Sequence, residues 1–547
     1  MRVKKKLADA LGDALDADVG PEDIEIPEEE EHGDFAFPVM GVAEGNPRQE
    51  AEEAVEPLEE REMVEKVEVA GPGYLNFFLD RERFAEVITE LLEQESMGVV
   101  QRDGKLLLEF SSPNVAKPMH VGHFRNNAIG DALQRIFRFV GYDVTSENYL
   151  GDWGTQYGKL VYAFKEYGSE EEFEKEPMEH MFDLYVKFHE EAEEDEELEE
   201  KGREWAQRIE DGEEEAADLW ERFREESIEY HMKDYGRMGI DFDRITGEST
   251  VVEGAEDLLE EGVEKGAIKE DPDGSLSIEF DELPDVVVKK ADGTTLYLSR
   301  DLANLEKRKE KEGFDYNLYV VGSEQELHFR QVFQAGDRLG INTEGCEHIS
   351  YGLLDLPEGG MSSREGRIIR LSDLLDRSVE KAEEKLKEED KDLDVAEAVG
   401  IGAAKYANLK VSRNKKITFD WKKVLSFEGD SGPYLQYSNT RAKSILNKSD
   451  KEGDMVGELK DDEYRLLKEL SRFPEVVENT AEQREPAKLA NYLSHLSEEF
   501  NSFYHSCRVI GAENGEIERR RLKLVELFRE VTDRGLKLLG IEPLDEM

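Results

Sequence analysis

A chain of 547 residues, 38% of them apolar, has the length for roughly three or four domains and enough apolar material for a large buried core. Its 130 acidic residues against 71 basic ones leave a formal net charge of −59, yet the apolar content excludes a disordered acidic chain. Only two cysteines, Cys346 and Cys507, are present, which excludes a disulfide framework and a CxxC zinc pattern. No apolar run approaches the ~20 residues of a membrane-spanning helix. The basic start MRVKKK lacks a following apolar stretch, so no secretory signal is read, and the expected protein is cytoplasmic with no membrane partner.

Residues 1–104 read as a small α+β domain. A helix over residues 3–15 precedes EHGDFAFPV; EKVEVAGPGYLNFFLD then gives two strands around a Gly-Pro-Gly turn, and RERFAEVITELLEQ a closing helix. Residues 105–395 read as a Rossmann-type, doubly wound parallel sheet domain. Leu106, Leu107, Leu108 and Phe110 suggest a buried strand, and helical spacing runs from Phe124 through Ala128, Leu133 and Phe137 to a stop at Gly141. YDVTSENYL resumes as strand, completing a βαβ unit.

Residues 165–230 are heavily acidic, but Trp205 with Ile209 and Leu219 with Phe223 keep helical spacing. They are expected to form a helical insertion whose charge marks a solvated face. PDVVVKKADGTTLYLSRD and NLYVVGSEQELHF look strand-like and are expected to complete the sheet. From residue 396 to 547 the pattern is helical, with Leu489, Leu493, Leu496, Phe500 and Phe503 on one face. The expected architecture is therefore α/β multidomain, ending in an all-α bundle.

His120 and His123 flank Gly122 between a strand's end and a helix's first turn. Ligands of parallel sheets bind beyond the strands' carboxyl ends, and phosphates favour helix N-termini. At i,i+3 both imidazoles can face one ligand, with Gly122 letting a ring or phosphate near the backbone, and such donors could stabilise charge on an α-phosphate. An isolated HxGH is equally a pair of capping or core histidines.

The wider string is more specific. EFSSPNVAKPMHVGH followed by NYLGDWGTQYG resembles the arginyl-tRNA synthetases, class I enzymes in which HVGH is a form of the HIGH motif. The resemblance extends through TLYLSRDLANL, YVVGSEQELHF, MSSREG, SFEGDSGPYLQYSNTRA and LKLLGIEPLDEM, nearly the whole chain. It implies that Glu109, Asn114, Tyr297, Asp301 and Gln325 bind arginine, whose planar, permanently charged guanidinium requires carboxylates. Which carboxylate meets the guanidinium and which the α-amino group stays open. It also implies that His120, Gly122, His123, His328 and Met361 bind ATP.

One departure stands out. The class's second signature, KMSKS, here reads Gly360-Met361-Ser362-Ser363-Arg364, without the first lysine. Family members lacking that lysine often carry another just before the histidines, where this chain has Lys117. The catalytic set implied is thus His120, His123, Lys117, Ser362 and Arg364. For tRNA, the resemblance implies Tyr434, Arg441, Tyr504 and Met547 at the anticodon loop, with Tyr74 and Asn76 at the elbow. The basic stretch SRNKKITFDWKK adds a candidate backbone contact.

The expected reaction is activation of arginine by Mg-ATP to arginyl-adenylate, then transfer to the terminal ribose of tRNA(Arg), by a monomer with no resident metal. The acidic coat has two readings: repulsion of nucleic acid, or adaptation to a salty cytoplasm where the Debye length falls to about 3 Å at 1 M. Its even spread favours the second, a halophilic enzyme. Two other functions fit the residues: a nucleotidylyltransferase for another amino acid, and a non-catalytic tRNA-binding paralogue, the latter motivated by Gly360.

Overall fold

The computed structural model describes residues 2–27, 29–291, 293–355, 369–418, 420–426 and 429–547. Its first segment is built on helix α1 (Arg2–Leu15), strand β1 (Phe35–Pro38), helix α2 (Pro47–Glu59), strands β2 (Val64–Ala70) and β3 (Tyr74–Leu79), and helix α3 (Arg81–Leu92). The strands form an antiparallel sheet in the order β1-β3-β2, with Leu75, Phe77 and Leu79 buried against the helices. Asn46 and Asp80 cap α2 and α3 by accepting backbone N–H groups of the first turn.

The central sheet begins with β4 (Lys105–Glu109), crosses through α4 (Val121–Phe139) and returns as β5 (Asp143–Leu150). Five helices intervene: α5 (Thr155–Tyr167), α6 (Glu170–Lys175), α7 (Pro177–Ala192), α8 (Glu196–Glu210) and α9 (Glu214–Met238). Strand β6 (Arg244–Gly247) follows, then α10 (Val252–Glu264) and a small antiparallel sheet of β7 (Lys269–Glu270), β8 (Leu276–Ile278) and β9 (Val286–Lys289). Helix α11 (Tyr297–Glu306), a π-helical turn at Lys307–Lys311, β10 (Tyr316–Gly322), α12 (Glu326–Leu339) and β11 (Cys346–Tyr351) complete the unit. The central strands are all parallel, in the order β11-β10-β4-β5-β6. Strand β4 therefore neighbours both β5, laid to one side, and β10, laid to the other, which makes the β4–β10 boundary the topological switch point.

One expectation is corrected. In PDVVVKKADGTTLYLSRD only β9 is strand, and it belongs to the small antiparallel sheet, while TLYLSRD opens α11. Leu298, Leu302 and Leu305 recur at helical spacing and are all buried, so burying one stripe favours the helix. The acidic stretch is helical, and its apolar stripe packs on the central unit. Phe164, Phe173, Met181, Phe188 and Phe223 form a core of their own with Val115, Ala116 and Leu150 of the central unit, each large side chain contributing about 1.5–3 kcal/mol by burial.

Beyond β11 come β12 (Leu354–Asp355), α13 (Leu371–Glu388), α14 (Ala396–Leu409), β13 (Ile417–Thr418) and α15 (Trp421–Val424). The chain ends in α16 (Gly432–Asn447), α17 (Asp461–Ser471), α18 (Phe473–Gln483), α19 (Ala487–Ser506) and α20 (Gly515–Leu538). Phe500 of α19 stacks on Phe528 of α20 with centroids 3.8 Å apart. A buried lysine ties this end to the central unit: Lys405 Nζ reaches Asp131 Oδ2 of α4 at 3.3 Å and donates to the Gly540 carbonyl at 2.7 Å.

Candidate active site

The loop from β4 into α4 crosses the switch point, and its backbone is unusual. Ser111, Ser112 and Ala116 hold φ of 75°, 46° and 62°, a left-handed conformation that disfavours any side chain. The surroundings over-determine it. Ser111 N donates to Asn126 Oδ1, and Ser112 N donates to Asn148 Oδ1 at 3.1 Å. From α9, Ser227 Oγ accepts from Ala116 N at 2.9 Å, and the Tyr235 hydroxyl lies 2.6 Å from Ser111 Oγ. Ser227, His231 and Tyr235 are spaced four residues apart on one buried face, so the end of the acidic segment props the loop. Burial pushes the pKa of His231 down to about 4, opposed by a hydrogen bond to the Asn114 backbone in the same loop.

His120 and His123 cap α4 reciprocally. His120 Nδ1 accepts from Gly122 N at 3.1 Å, His123 Nδ1 accepts from His120 N at 3.0 Å, and the ring centroids are 4.1 Å apart. The capping reading of an isolated HxGH thus holds for both rings. Burial holds both rings below the usual imidazole range, His123 well below it, with His120 and His231 adding repulsion at His123. A neutral ring whose Nδ1 accepts must carry its proton on Nε2. The cap therefore sets the tautomer and leaves two Nε2–H donors at the N-terminus of a 19-residue helix, a site suited to an anion.

Acidic groups gather around Tyr149, which is buried and feels Asp301, Glu248 and Glu109 together. Asp301 Oδ2 is 2.6 Å from His328 Nε2, and Arg300 Nε is 3.0 Å from Glu248 Oε2. Tyr297 is 62% exposed at the start of α11, with the Arg300 guanidinium over its ring, 5.0 Å from the centroid. Asn114 is exposed in a parallel bridge with Gly151, and Gln325 is exposed just ahead of α12. Glu109 differs from the others: it is buried and its Oε2 lies 2.6 Å from the Arg308 guanidinium. Burial pushes Glu109 up to about 7, with Arg308 opposing. Glu248, raised to about 7 chiefly by burial, was not among the residues read from the sequence; its position at the carboxyl end of β6 was the available signal, and β6 itself was not foreseen.

Lys117 Nζ sits 4.1 Å over the Tyr185 ring of α7. Gly360, Met361, Ser362, Ser363 and Arg364 lie outside the described residues. The chain that follows them is stitched to the histidine loop: Val121 N donates to the Ile369 carbonyl at 3.2 Å and Leu371 N to the Met119 carbonyl at 2.9 Å. Arg370, between them, pairs with Glu179 of α7. Arg125 of α4, wholly buried, donates to the carbonyls of Arg413 at 2.8 Å and Lys415 at 3.0 Å, clamping the backbone of the basic stretch.

At the helical end, Tyr434, Arg441 and Tyr504 converge. Asn501 Nδ2 donates to the Tyr434 hydroxyl at 2.7 Å, Asn501 Oδ1 accepts from Arg441, and the Arg441 guanidinium lies 5.5 Å from the Tyr504 ring and 4.8 Å from Tyr437. Tyr437 and Asn501 were missed in the sequence, where nothing but helical spacing linked them to this cluster. Met547 is joined through its carbonyl to Lys391, whose Nζ lies 4.4 Å over Tyr437. Tyr74 and Asn76 sit on β3, Tyr74 half-buried and Asn76 buried, beside His32, Ala36 and Gly71.

Three family models match the chain: arginyl tRNA synthetase N terminal domain over residues 1–79, tRNA synthetases class I (R), catalytic domain over 87–421, and DALR anticodon binding domain over 435–547. An arginine–tRNA ligase of Clostridium acetobutylicum is 40% identical, covering 100% of both chains, and one of Halothermothrix orenii is 39% identical over 100% of this chain and 99% of its own. Among solved structures, the arginyl-tRNA synthetase of Thermus thermophilus superposes with a TM-score of 0.82 at 25% identity, over 100% of both chains. That of Plasmodium falciparum gives 0.81 at 22% identity over 100% and 98%, a likeness of fold. With the histidine-capped helix at the switch point and full-length matches of this kind, the chain belongs to the class I arginyl-tRNA synthetases.

Proposed function

We propose that the protein is an arginine–tRNA ligase that activates arginine with ATP to arginyl-adenylate and transfers it to the 3′-terminal ribose of tRNA(Arg). What supports this reading is that His120 and His123 close the loop out of β4 with two Nε2–H donors, while Glu109 at the carboxyl end of the same strand faces Asp301. One half suits a nucleotide phosphate, the other a permanently cationic amino acid.

In this reading, Mg-ATP lies over Gly122 with its α-phosphate against His120 and His123, and His328 and Met361 complete the nucleotide site. Arginine lies along Tyr297, with Asp301 and Glu109 on its charged groups and Asn114 and Gln325 at its backbone end. Lys117, whose Nζ lies over the Tyr185 ring, supplies the charge that Gly360 lacks, and Ser362 and Arg364 are the other members of the phosphate-contacting set. Catalysis is positioning and electrostatic stabilisation, with no covalent enzyme intermediate. Tyr434, Arg441, Tyr504 and Met547 receive the anticodon loop and Tyr74 and Asn76 the tRNA elbow. The division is 1–104 for the elbow, 105–395 for chemistry with the acidic segment at about 165–230, and 396–547 for the anticodon.

The net charge of −59 supports a monomeric, cytoplasmic enzyme of a salty cell, and among the described residues no helix is long and apolar enough to cross a membrane. The test is aminoacylation of tRNA with labelled arginine across a KCl series, beside a tRNA filter-binding assay. Arginylation that requires ATP is expected; tRNA binding without charging would overturn the reading.

A further inference from the structure

Across four neighbouring strands the sheet register aligns Tyr319, Glu109, Glu147 and Arg244 in a single row, Tyr319 opposite Glu109, Glu109 opposite Glu147, and Glu147 opposite Arg244. In-register neighbours point to the same face. Over that face hangs Arg308, on the π-helical turn that prolongs α11, the helix bearing Tyr297 and Asp301. Its guanidinium is wholly buried, 2.6 Å from Glu109 Oε2 and 2.6 Å from Glu147 Oε2, and 5.4 Å from the centroids of both the Tyr149 and Tyr319 rings. The chain has thus placed one of its own arginines in a box of two carboxylates and two tyrosines, one of the carboxylates being Glu109. A π-turn adds a residue to the helical register and is common where a side chain must be re-aimed.

The two carboxylates depend on Arg308 unequally. Glu147 also receives Arg244 at 2.9 Å and the Thr246 hydroxyl. Glu109 is otherwise served by Ser112 Oγ at 3.5 Å, while Glu147 and Asp301 confront it as like charges. Removing Arg308 would leave Glu147 ionised and strip Glu109 of its one facing cation among the described residues. A buried carboxylate in that position takes up a proton, and a neutral acid is a poor ligand for an ammonium or a guanidinium.

We infer that Arg308 is a positioning residue that favours the charged form of Glu109 and holds its carboxylate in place for a cationic group of the amino-acid substrate. The inference rests on the assignment of Glu109 to arginine binding made above. Arg308 acts through Glu109, not on the substrate. The groups facing Glu109 are Arg308 from the π-turn, Asp301 from α11, Glu147 and the Tyr149 ring from β5, Tyr319 from β10 and Ser112 from the loop. Arg244 reaches it only through Glu147.

The test is the pH profile of kcat/KM for arginine in tRNA-dependent pyrophosphate exchange, which reports ionisations of the free enzyme. In Arg308→Gln the acid limb is expected to move to higher pH by about one unit or more, with KM for ATP unchanged. In Glu147→Gln, which retains Arg308 and removes a neighbouring anion, the limb moves the other way. Glu109→Gln raises KM for arginine and loses the limb. An Arg308→Gln profile superposing on wild type overturns the role of Arg308. A Glu147→Gln limb that stays or rises assigns the limb to a group other than Glu109 and overturns the inference. An unchanged KM for arginine in Glu109→Gln overturns instead the assignment of Glu109. If Arg308→Gln does not fold, Arg308→Lys decides the matter: with the cation kept and the planar fork lost, a raised KM for arginine supports the positioning role, and an unchanged KM and profile overturn it.

Discussion

Asp301 and His328 stand on different helices, α11 and α12, yet Oδ2 of the first lies 2.6 Å from Nε2 of the second. In the proposed reading this pair links a residue of the arginine site to one of the nucleotide site. Asp301→Asn is expected to raise KM for arginine on the order of 100-fold, since truncating one partner of a charged pair costs about 2–5 kcal/mol. His328→Ala removes only the orienting partner of Asp301 and is expected to cost less toward arginine but to weaken ATP as well. Separate titrations of arginine and ATP in pyrophosphate exchange check both.

The histidine pair caps a helix and, in the proposed reading, contacts the nucleotide, so the two roles separate by magnitude. Loss of a cap costs about 1 kcal/mol. Loss of a donor aimed at developing charge costs about 10²–10³ in rate. His123→Ala should therefore shift the melting midpoint modestly while single-turnover adenylate formation falls at least a hundredfold. Lys117→Ala should slow the same step sharply with only a small change in thermal stability, since the contact it loses is its Nζ over the Tyr185 ring, worth about 0.5–1 kcal/mol.

His231 makes a pH prediction. Its folded pKa of about 4 lies below the unfolded value of 6.5, so the neutral ring favours the fold above that value. That contribution, about 3 kcal/mol for a shift of this size, is lost as pH falls from about 6.5 toward 4. Glu109 and Glu248 have the opposite sign: raised to about 7, they favour the fold at low pH and lose that contribution as pH rises from about 4.5 through 7. His231→Leu should flatten the acid side of the stability curve, measured by denaturant melts between pH 4 and 7. A curve parallel to wild type would show that another group governs acid unfolding.

The tyrosine–arginine cluster at the helical end predicts a change confined to tRNA. Stacking an unpaired base on an aromatic ring is worth about 1–3 kcal/mol. Tyr504→Ala is expected to raise KM for tRNA by roughly ten- to a hundredfold and to leave KM for arginine and ATP unchanged. Arg441→Ala should do the same and also reduce the salt dependence of tRNA binding.

Charge makes the last prediction. With 130 acidic residues against 71 basic, repulsion in dilute buffer opposes the compact state. Raising KCl from 0.1 to 1 M shortens the Debye length from about 10 Å to about 3 Å, so the melting midpoint and aminoacylation rate should both rise toward molar salt. A midpoint that falls with KCl would refute the halophilic reading.

Much of this was legible in the chain itself. The strand at Leu106–Leu108, the helix after His123 and the parallel βαβ unit follow from local spacing, because buried strands and amphipathic helices must repeat every two or every three to four residues. The residue types at the site were legible too, through a string specific enough to resemble one family. Local pattern did not reveal who partners whom. That Ser227, His231 and Tyr235 brace a left-handed loop more than a hundred residues earlier depends on long-range closure, as do the burial of Arg308 between Glu109 and Glu147 and the tautomer set by a reciprocal cap. The sequence by itself determined which chemistry was present, because side-chain identity and spacing are local properties. Only the tertiary structure decided which acids stand open and which faces an arginine of the chain's own, because that is a matter of distance and desolvation between segments far apart in the chain.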